Sequence, residues 1–269
     1  MILISVVLLS LISSFVLVYL TKINWFISLP IFIGFLIVYV FLFIMLCYLI
    51  AITVSKKQEI LKPKGIFNSM TWHICKFVKQ VCLTKVTVSG LEKVKGQKML
   101  VVSNHQSNID PLLIISVLEN MGLTFIMKES ILKIPVVGRW LISAGFLSIN
   151  RENNREGLKT IIKSIKRVEN GYPIGVFPEG TRSKGANMQE FKDGAFKIAL
   201  RAEAPILVCV IDGTYKTSKN FPFRRTKVNF NVCELIEYER IKDMTTSEVS
   251  EMVHKMMEEE LVKLRERNS

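Results

Sequence analysis

The opening fifth of this chain has almost no charge. Lys22 is the only charged side chain among the first 55 residues. A solvated surface over that length is excluded, because water-facing segments of a globular domain carry charge throughout. Residues 1–21 and 23–55 each exceed the roughly 20 apolar residues that cross a hydrocarbon core, and the short "TKINW" segment lies between them. The expectation is a hairpin of two membrane helices over residues 1–55. A cleaved signal peptide would call for a basic n-region and a small-residue cleavage site, and neither is visible. Trp25 suits the membrane interface, while Pro30 and Gly34 suit a kinked or partly embedded second helix. Lys56, Lys57, Lys62 and Lys64 follow directly. The positive-inside rule places that flank, and the domain after it, in the cytoplasm of a cell-membrane protein.

Patterned cysteine is also missing. The five cysteines (Cys47, Cys75, Cys82, Cys209 and Cys233) form no C-x-x-C pair, which fits buried thiols in a reducing compartment rather than a disulfide framework or zinc site. No zinc-finger, RNA-recognition or basic-zipper signature accompanies the 36 Lys plus Arg against 23 Asp plus Glu. The basic excess therefore points to an anionic membrane surface or anionic substrate, with no nucleic acid partner. Internal repeats, low-complexity linkers and a G-x-S-x-G nucleophile elbow are absent too.

What remains is an alternation of strands and helices. "KVTVSGL", "KMLVVS", "LTFIMK", "FLSIN", "YPIGVF", "PILVCVI" and "KVNFNV" read as strands. Helices are expected after Pro111, over "SILKIPVVGRWLISAG", over residues 156–169 and over "FKDGAFKIALRAE". In the helix over 156–169, Leu158, Ile161, Ile162, Ile165 and Val168 share an apolar face, with Lys159, Lys163, Lys166 and Arg167 mostly elsewhere. A capping box at Thr245 opens a C-terminal amphipathic helix through Met252, Met256 and Leu264. The pattern predicts an α/β domain over 85–269. Residues 56–84 form a basic amphipathic juxtamembrane segment, whose helix near 66–83 suits either the domain core or the membrane surface.

Histidine is scarce as well, with three in the chain. His73 and His254 have no acidic or cysteine partner at useful spacing. His105 differs, because "SNHQSNIDP" puts it in a polar loop between a strand and a helix that Pro111 opens. In open α/β sheets that edge is where ligands bind. Imidazole is the side chain best suited to take a proton near neutrality, and a carboxylate on its other nitrogen fixes the tautomer. Asp110 is spaced for that role, and equally for capping the helix. A second strand-end loop, "FPEGTRS", offers Glu179, Gly180 and the guanidinium of Arg182, a planar fork suited to phosphate. A surface Glu179–Arg182 ion pair is the plainer account of that loop. A third strand, "GFLSIN", ends at Arg151.

These residues carry a resemblance to a known family. "NHQSNID" matches the N-H-x4-D block of the glycerolipid acyltransferases typified by lysophosphatidic acid acyltransferase, and "FPEGTRS" matches their second block residue for residue. "GFLSINR", "FKDGAFKIA", "MKESILKIPVVG" and "APILVCVIDGT" are similar to further blocks, with Val208 where the family usually has a second proline. The resemblance spans about residues 85–215. It implies an α/β fold with a central, mostly parallel sheet and flanking helices.

The implied reaction moves a fatty acyl group from acyl-CoA or acyl carrier protein, as co-substrate, to the sn-2 hydroxyl of lysophosphatidic acid. His105 and Asp110 would be catalytic. Arg151, Arg182 and Lys128 would hold the acceptor phosphate, with Glu179, Gly180 and Thr181 completing the substrate-binding set. No metal or organic cofactor is implied. The apolar segment Ile134 to Leu141 would line the acyl path or pack in the core. Another lysophospholipid or glycerol 3-phosphate is an alternative acceptor; a lipid or thioester hydrolase, or a non-catalytic lipid-binding protein, is the alternative outside this chemistry.

Overall fold

The structure, a computed structural model, describes residues 2–22, 24–52, 65–119, 121–134, 137–150 and 154–267. The four lysines after the hairpin and Arg151 lie outside the described residues. The chain opens with α1 (Ile2–Thr21) and α2 (Ser28–Ile52), then α3 (Gly65–Val81) and β1 (Thr84–Ser89). There follow β2 (Leu100–Ser103), α4 (Asp110–Val117), β3 (Thr124–Lys128), α5 (Val137–Ser143) and β4 (Leu147–Ile149). Next come α6 (Asn154–Glu169), β5 (Ile174–Val176), α7 (Lys197–Arg201), β6 (Ile206–Asp212) and α8 (Thr217–Asn220). β7 (Thr226–Ile236), α9 (Tyr238–Ile241) and α10 (Thr246–Glu266) end the described chain.

Both opening helices contain a span long and apolar enough to cross a membrane, Ile4–Thr21 and Ser28–Ile50. Several of their polar groups bond within the helix pair, as an apolar surround favours. Ser10 and Ser14 donate to backbone carbonyls of their own helix, and Ser13 and Tyr39 join α1 to α2 at 2.7 Å. Phe43 and Ile50 of α2 pack against the core of the α/β domain, so the hairpin is docked on it.

The seven strands form one sheet in the order β1-β7-β6-β2-β5-β3-β4. Every pairing is parallel except β6 with β7. The central strands are buried on both faces, which explains their continuous apolar runs. Alternate residues serve opposite layers. Val101, Leu207, Cys209 and Ile211 face α2–α5, whereas Leu100, Val102, Ile206, Val208 and Val210 face α6, α7, α9 and α10.

Helix α3 packs on α4 and puts Phe67 and Cys75 into the core, each large apolar group contributing about 1.5–3 kcal/mol. The five cysteines are free, and burial pushes the thiols of Cys75 and Cys233 up to about 12, so both stay protonated.

Three expectations about helices change. The segment after β3 is a 3-10 turn over Glu129–Lys133 that ends at an extended Ile134, the residue before a proline in the sequence, where helix is disfavoured, and the short α5 follows from Val137. The helix anticipated over "FKDGAFKIALRAE" is a 3-10 turn at Asp193–Ala195 and the five-residue α7, since Gly194 weakens helix near its start. In α6 the core takes Ile161, Ile165 and Val168 but leaves Leu158 and Ile162 exposed. Arg167 is fully buried instead of solvated, because its guanidinium reaches the carbonyls of Gly122, Gly145 and Pro173 at 3.0, 3.2 and 3.4 Å. The Thr245 capping box is present, with Glu248 closing it.

Candidate active site

The parallel strands β2, β5, β3 and β6 all end at one edge of the sheet, and the loops that leave them meet there. The loop after β2 is held by an amide clamp. Asn104 donates to the carbonyl of Ile211 and accepts from its N–H, both at 2.8 Å, which ties the loop to the neighbouring strand. Gln106 continues the tie, donating to Asp212 at 3.1 Å and accepting from Gly213 N–H at 3.0 Å. Neither residue was singled out in the sequence. An amide beside a catalytic-type histidine is the only signal that was available.

Between them stands His105. Its Nδ1 lies 2.8 Å from Oδ2 of Asp110, which is fully buried. An ionised carboxylate only accepts, so Nδ1 carries the hydrogen and Nε2 is the basic nitrogen. The same Oδ2 also accepts from the N–H groups of Gln106 and Ser107 at 2.6 and 2.7 Å. Asp110 therefore points back into the loop. Helix α4 has Ile109 as its N-cap with no side-chain capping bond, so the Asp110 carboxylate does not cap it and is turned to the His105 loop instead. The other oxygen, Oδ1, is buried without a partner among the described residues.

The second loop is bonded to the first from both sides. Glu179, 2 % exposed, accepts the N–H of His105 through one carboxylate oxygen at 2.6 Å and that of Gln189 through the other at 2.9 Å. Ser183 N–H donates to the carbonyl of His105 at 2.8 Å. Burial pushes the Glu179 carboxyl up, against the pull of those two backbone N–H groups and of His105. Each oxygen of Glu179 thus takes a backbone N–H, so the carboxylate positions the two loops. Among the described residues no ion pair joins it to Arg182, and the surface-pair account of that loop is not what forms. Gly180 takes a left-handed conformation (φ 70°), and the Lys192 side chain lies where its Cβ would point.

A cavity of about 1470 Å³ opens on His105. Gly180, Thr181, Arg182, Lys128 and Lys192 belong to its lining. Phe43 and Ile44 of α2, Ile74 and Val78 of α3, and Trp140 and Leu141 of α5 line it too. Of the segment from Ile134 to Leu141, Val137, Trp140 and Leu141 reach the cavity while Ile134 is exposed outside it. Lys192 was not anticipated, although it sits in the quoted "FKDGAFKIA". His73 and His254 lie elsewhere: His73 bonds to the Ser69 carbonyl, and His254 packs edge-on against Phe191. No cluster of His, Cys, Asp and Glu suited to a metal occurs among the described residues.

A histidine paired with a buried aspartate, lining a largely apolar cavity together with several basic side chains on a mostly parallel α/β sheet, is the arrangement of an acyltransferase domain. Known proteins bear this out. The family model described as Acyltransferase matches residues 85–212. A 1-acyl-sn-glycerol-3-phosphate acyltransferase of Borreliella burgdorferi is 32% identical over 187 residues, covering 65% of this chain and 72% of that protein. One from Haemophilus influenzae is 28% identical over 63% of this chain and 70% of its own length. The crystal structure of the 1-acyl-sn-glycerophosphate (LPA) acyltransferase PlsC from Thermotoga maritima superposes with a TM-score of 0.62 at 26% identity, over 74% of this chain and 79% of that one. The chain belongs to the family of the 1-acyl-sn-glycerol-3-phosphate acyltransferases.

Proposed function

We propose that this protein transfers a fatty acyl group from an acyl thioester to the sn-2 hydroxyl of lysophosphatidic acid, giving phosphatidic acid for phospholipid synthesis. The observation that carries the reading is the Asp110–His105 pair, which leaves the basic Nε2 free at the cavity that also holds Arg182 and Lys192. His105 Nε2 takes the hydroxyl proton as the oxygen attacks the thioester carbonyl. Collapse of the tetrahedral adduct breaks the C–S bond, and the imidazolium returns its proton to the departing thiolate. The acceptor supplies the nucleophile, so neither an acyl-enzyme nor a metal or organic cofactor is required. Arg182, with Lys128, Lys192 and Arg151, holds the acceptor phosphate. The donor is acyl-CoA or acyl carrier protein, and the domain works on the cytoplasmic face of the cell membrane, anchored by α1 and α2.

The test is an acceptor panel with purified protein, one labelled acyl thioester and product identification by mass. Phosphatidic acid formed from lysophosphatidic acid is the expected product. His105→Ala should lower turnover by about 10² to 10⁴ while the protein stays folded. Free fatty acid without acceptor-dependent product would mean a hydrolase and overturn the assignment.

A further inference from the structure

Between β6 and β7 the chain presents an exposed segment outside the hairpin and the cavity. Residues 216–227 read "KTSKNFPFRRTK". Phe223 is 92% exposed and Phe221 46%, and Arg224 and Arg225 directly follow them on the surface. A solvent-exposed phenylalanine at a loop tip carries an unfavourable hydration free energy with no packing return. Lys219, Arg224, Arg225 and Lys227 form no ion pair among the described residues. Neither residues 213–233 nor residues 65–91, which include the adjoining α3 and β1, contain a single Asp or Glu.

The strand pairing concentrates the charge further. In the β1–β7 register Lys85 stands directly opposite Lys227, both exposed. Like charges opposed across a strand pair repel, so this arrangement is best accommodated by an external anion. Aromatic groups flanked by unpaired cations are the chemistry of a bilayer interface, where rings sit at headgroup level and cations bind anionic lipid.

The loop is also in the right place. β7 starts at the sheet edge where β6 ends and where the His105 loop emerges, with Asn229 paired to Asp212. Thr226 N–H bonds to the carbonyl of Leu83, just past α3, whose Ile74, Phe77 and Val78 line the cavity.

We propose that the loop Lys219–Lys227 is a second membrane contact, distinct from the hairpin, in which Phe221 and Phe223 enter the interface of an anionic bilayer while Arg224, Arg225 and Lys85/Lys227 bind its headgroups. This rests on the reading of the protein as one that acts on a bilayer-borne acceptor. The docked hairpin fixes the domain at its α2–α5 face, which leaves the β6–β7 side without an anchor of its own. A second contact at the His105 edge holds the cavity mouth against the surface from which the acceptor comes. An acidic carrier protein would satisfy the cations but would leave the protruding Phe223 ring in water, so the bilayer is the better occupant.

The experiment uses the full chain in vesicles of phosphatidylcholine with and without phosphatidylglycerol. Amide hydrogen exchange over residues 217–227 should slow when phosphatidylglycerol is present, relative to detergent micelles. Each cation near an anionic surface contributes about five-fold in partition, so Arg224→Glu with Arg225→Glu should reverse the protection. That double variant, and Phe223→Asp, should raise the apparent KM for vesicle-borne lysophosphatidic acid several-fold. Turnover of a short-chain, monomeric acceptor should be unchanged, which also shows that the variants fold. Phe223→Trp should keep wild-type kinetics and gain blue-shifted emission on phosphatidylglycerol vesicles. Equal exchange in micelles and both vesicles, or an unchanged vesicle KM in the charge-reversed variant, overturns the proposal. A raised KM for an acyl carrier protein donor in the charge-reversed variant, with exchange in the wild type slowed by carrier protein and not by phosphatidylglycerol vesicles, overturns it in favour of a protein partner. Vesicle protection is read without turnover, so a wrong acceptor assignment leaves this test standing.

Discussion

The imidazole of His105 lies flat against the ring of Phe177, centroids 4.0 Å apart and planes 14° from parallel, and Phe177 in turn stacks on Phe125 at 4.8 Å. Asp110 fixes one edge of the imidazole, and the phenyl ring fixes one face. An aromatic face also stabilises a developing imidazolium, by up to about 2 kcal/mol in a desolvated setting. Phe177→Leu should therefore lower kcat by up to roughly 30-fold with little change in either KM, while Phe177→Tyr retains most activity. The stack depends on Gly175, where a Cβ would meet Phe125 at 2.4 Å. Gly175→Ala should reproduce the kcat loss from a distance. Wild-type kcat in Phe177→Leu would show that the stack is passive packing.

Glu179 gives a separable signature. In Glu179→Gln one terminus can only donate, so it faces a backbone N–H with another N–H and unties one of the two loops. Turnover should fall at least as much as for one lost positioning contact, about ten-fold or more. Stability follows a different course with pH. A carboxyl whose folded pKa is raised binds more protons folded than unfolded, so its contribution falls as pH rises through the raised value. Removing the charge should therefore flatten the decline of stability with pH above the ordinary carboxylate range. A melting-temperature profile against pH, parallel in Glu179→Gln and wild type, would refute the burial argument.

Arg182 and Lys192 line the same cavity as His105. Arg182→Ala and Lys192→Ala should each raise KM for the acceptor, with the donor KM moving much less. Arg182→Lys should remain impaired, since an ammonium loses the planar fork. Measuring each KM in turn beside a melting curve checks this; equal losses for both substrates would point to a general disturbance of the loop.

Arg167 predicts a purely structural defect. Burial lowers its pKa to about 10, so it stays charged at neutral pH while bonded to three loop carbonyls. Arg167→Met fills similar volume but strands those carbonyls, on the order of 3 kcal/mol in total. For a domain of this size that is a fall in Tm of about 6–12 °C. Kinetic constants measured well below the transition should hold. An unchanged Tm would mean that water replaces the guanidinium at little cost.

Much of this protein is legible along the chain because the information is local. An uncharged run of membrane length, β-branched runs bounded by turns, and a histidine five residues from an aspartate can be read without knowing what lies beside them. The α/β class, the two apolar helices and the two motif loops came from such signals. Contacts between distant segments decided the rest. The strand order places β6 beside β2, and only then do Asn104 and Ile211 meet, or Gln106 and Asp212. Phe177 reads as a strand-end residue until the β2 and β5 loops converge and set its ring on His105. Glu179 reads as a residue that shapes its loop, but the backbone N–H groups its oxygens take, those of His105 and Gln189, appear only in the folded chain. Arg167 reads as solvated because helical periodicity assigns a face but not what covers it. In each case the chemistry of the side chain was evident from its type, whereas its partner, and hence its role, existed only once non-local packing had brought the two together.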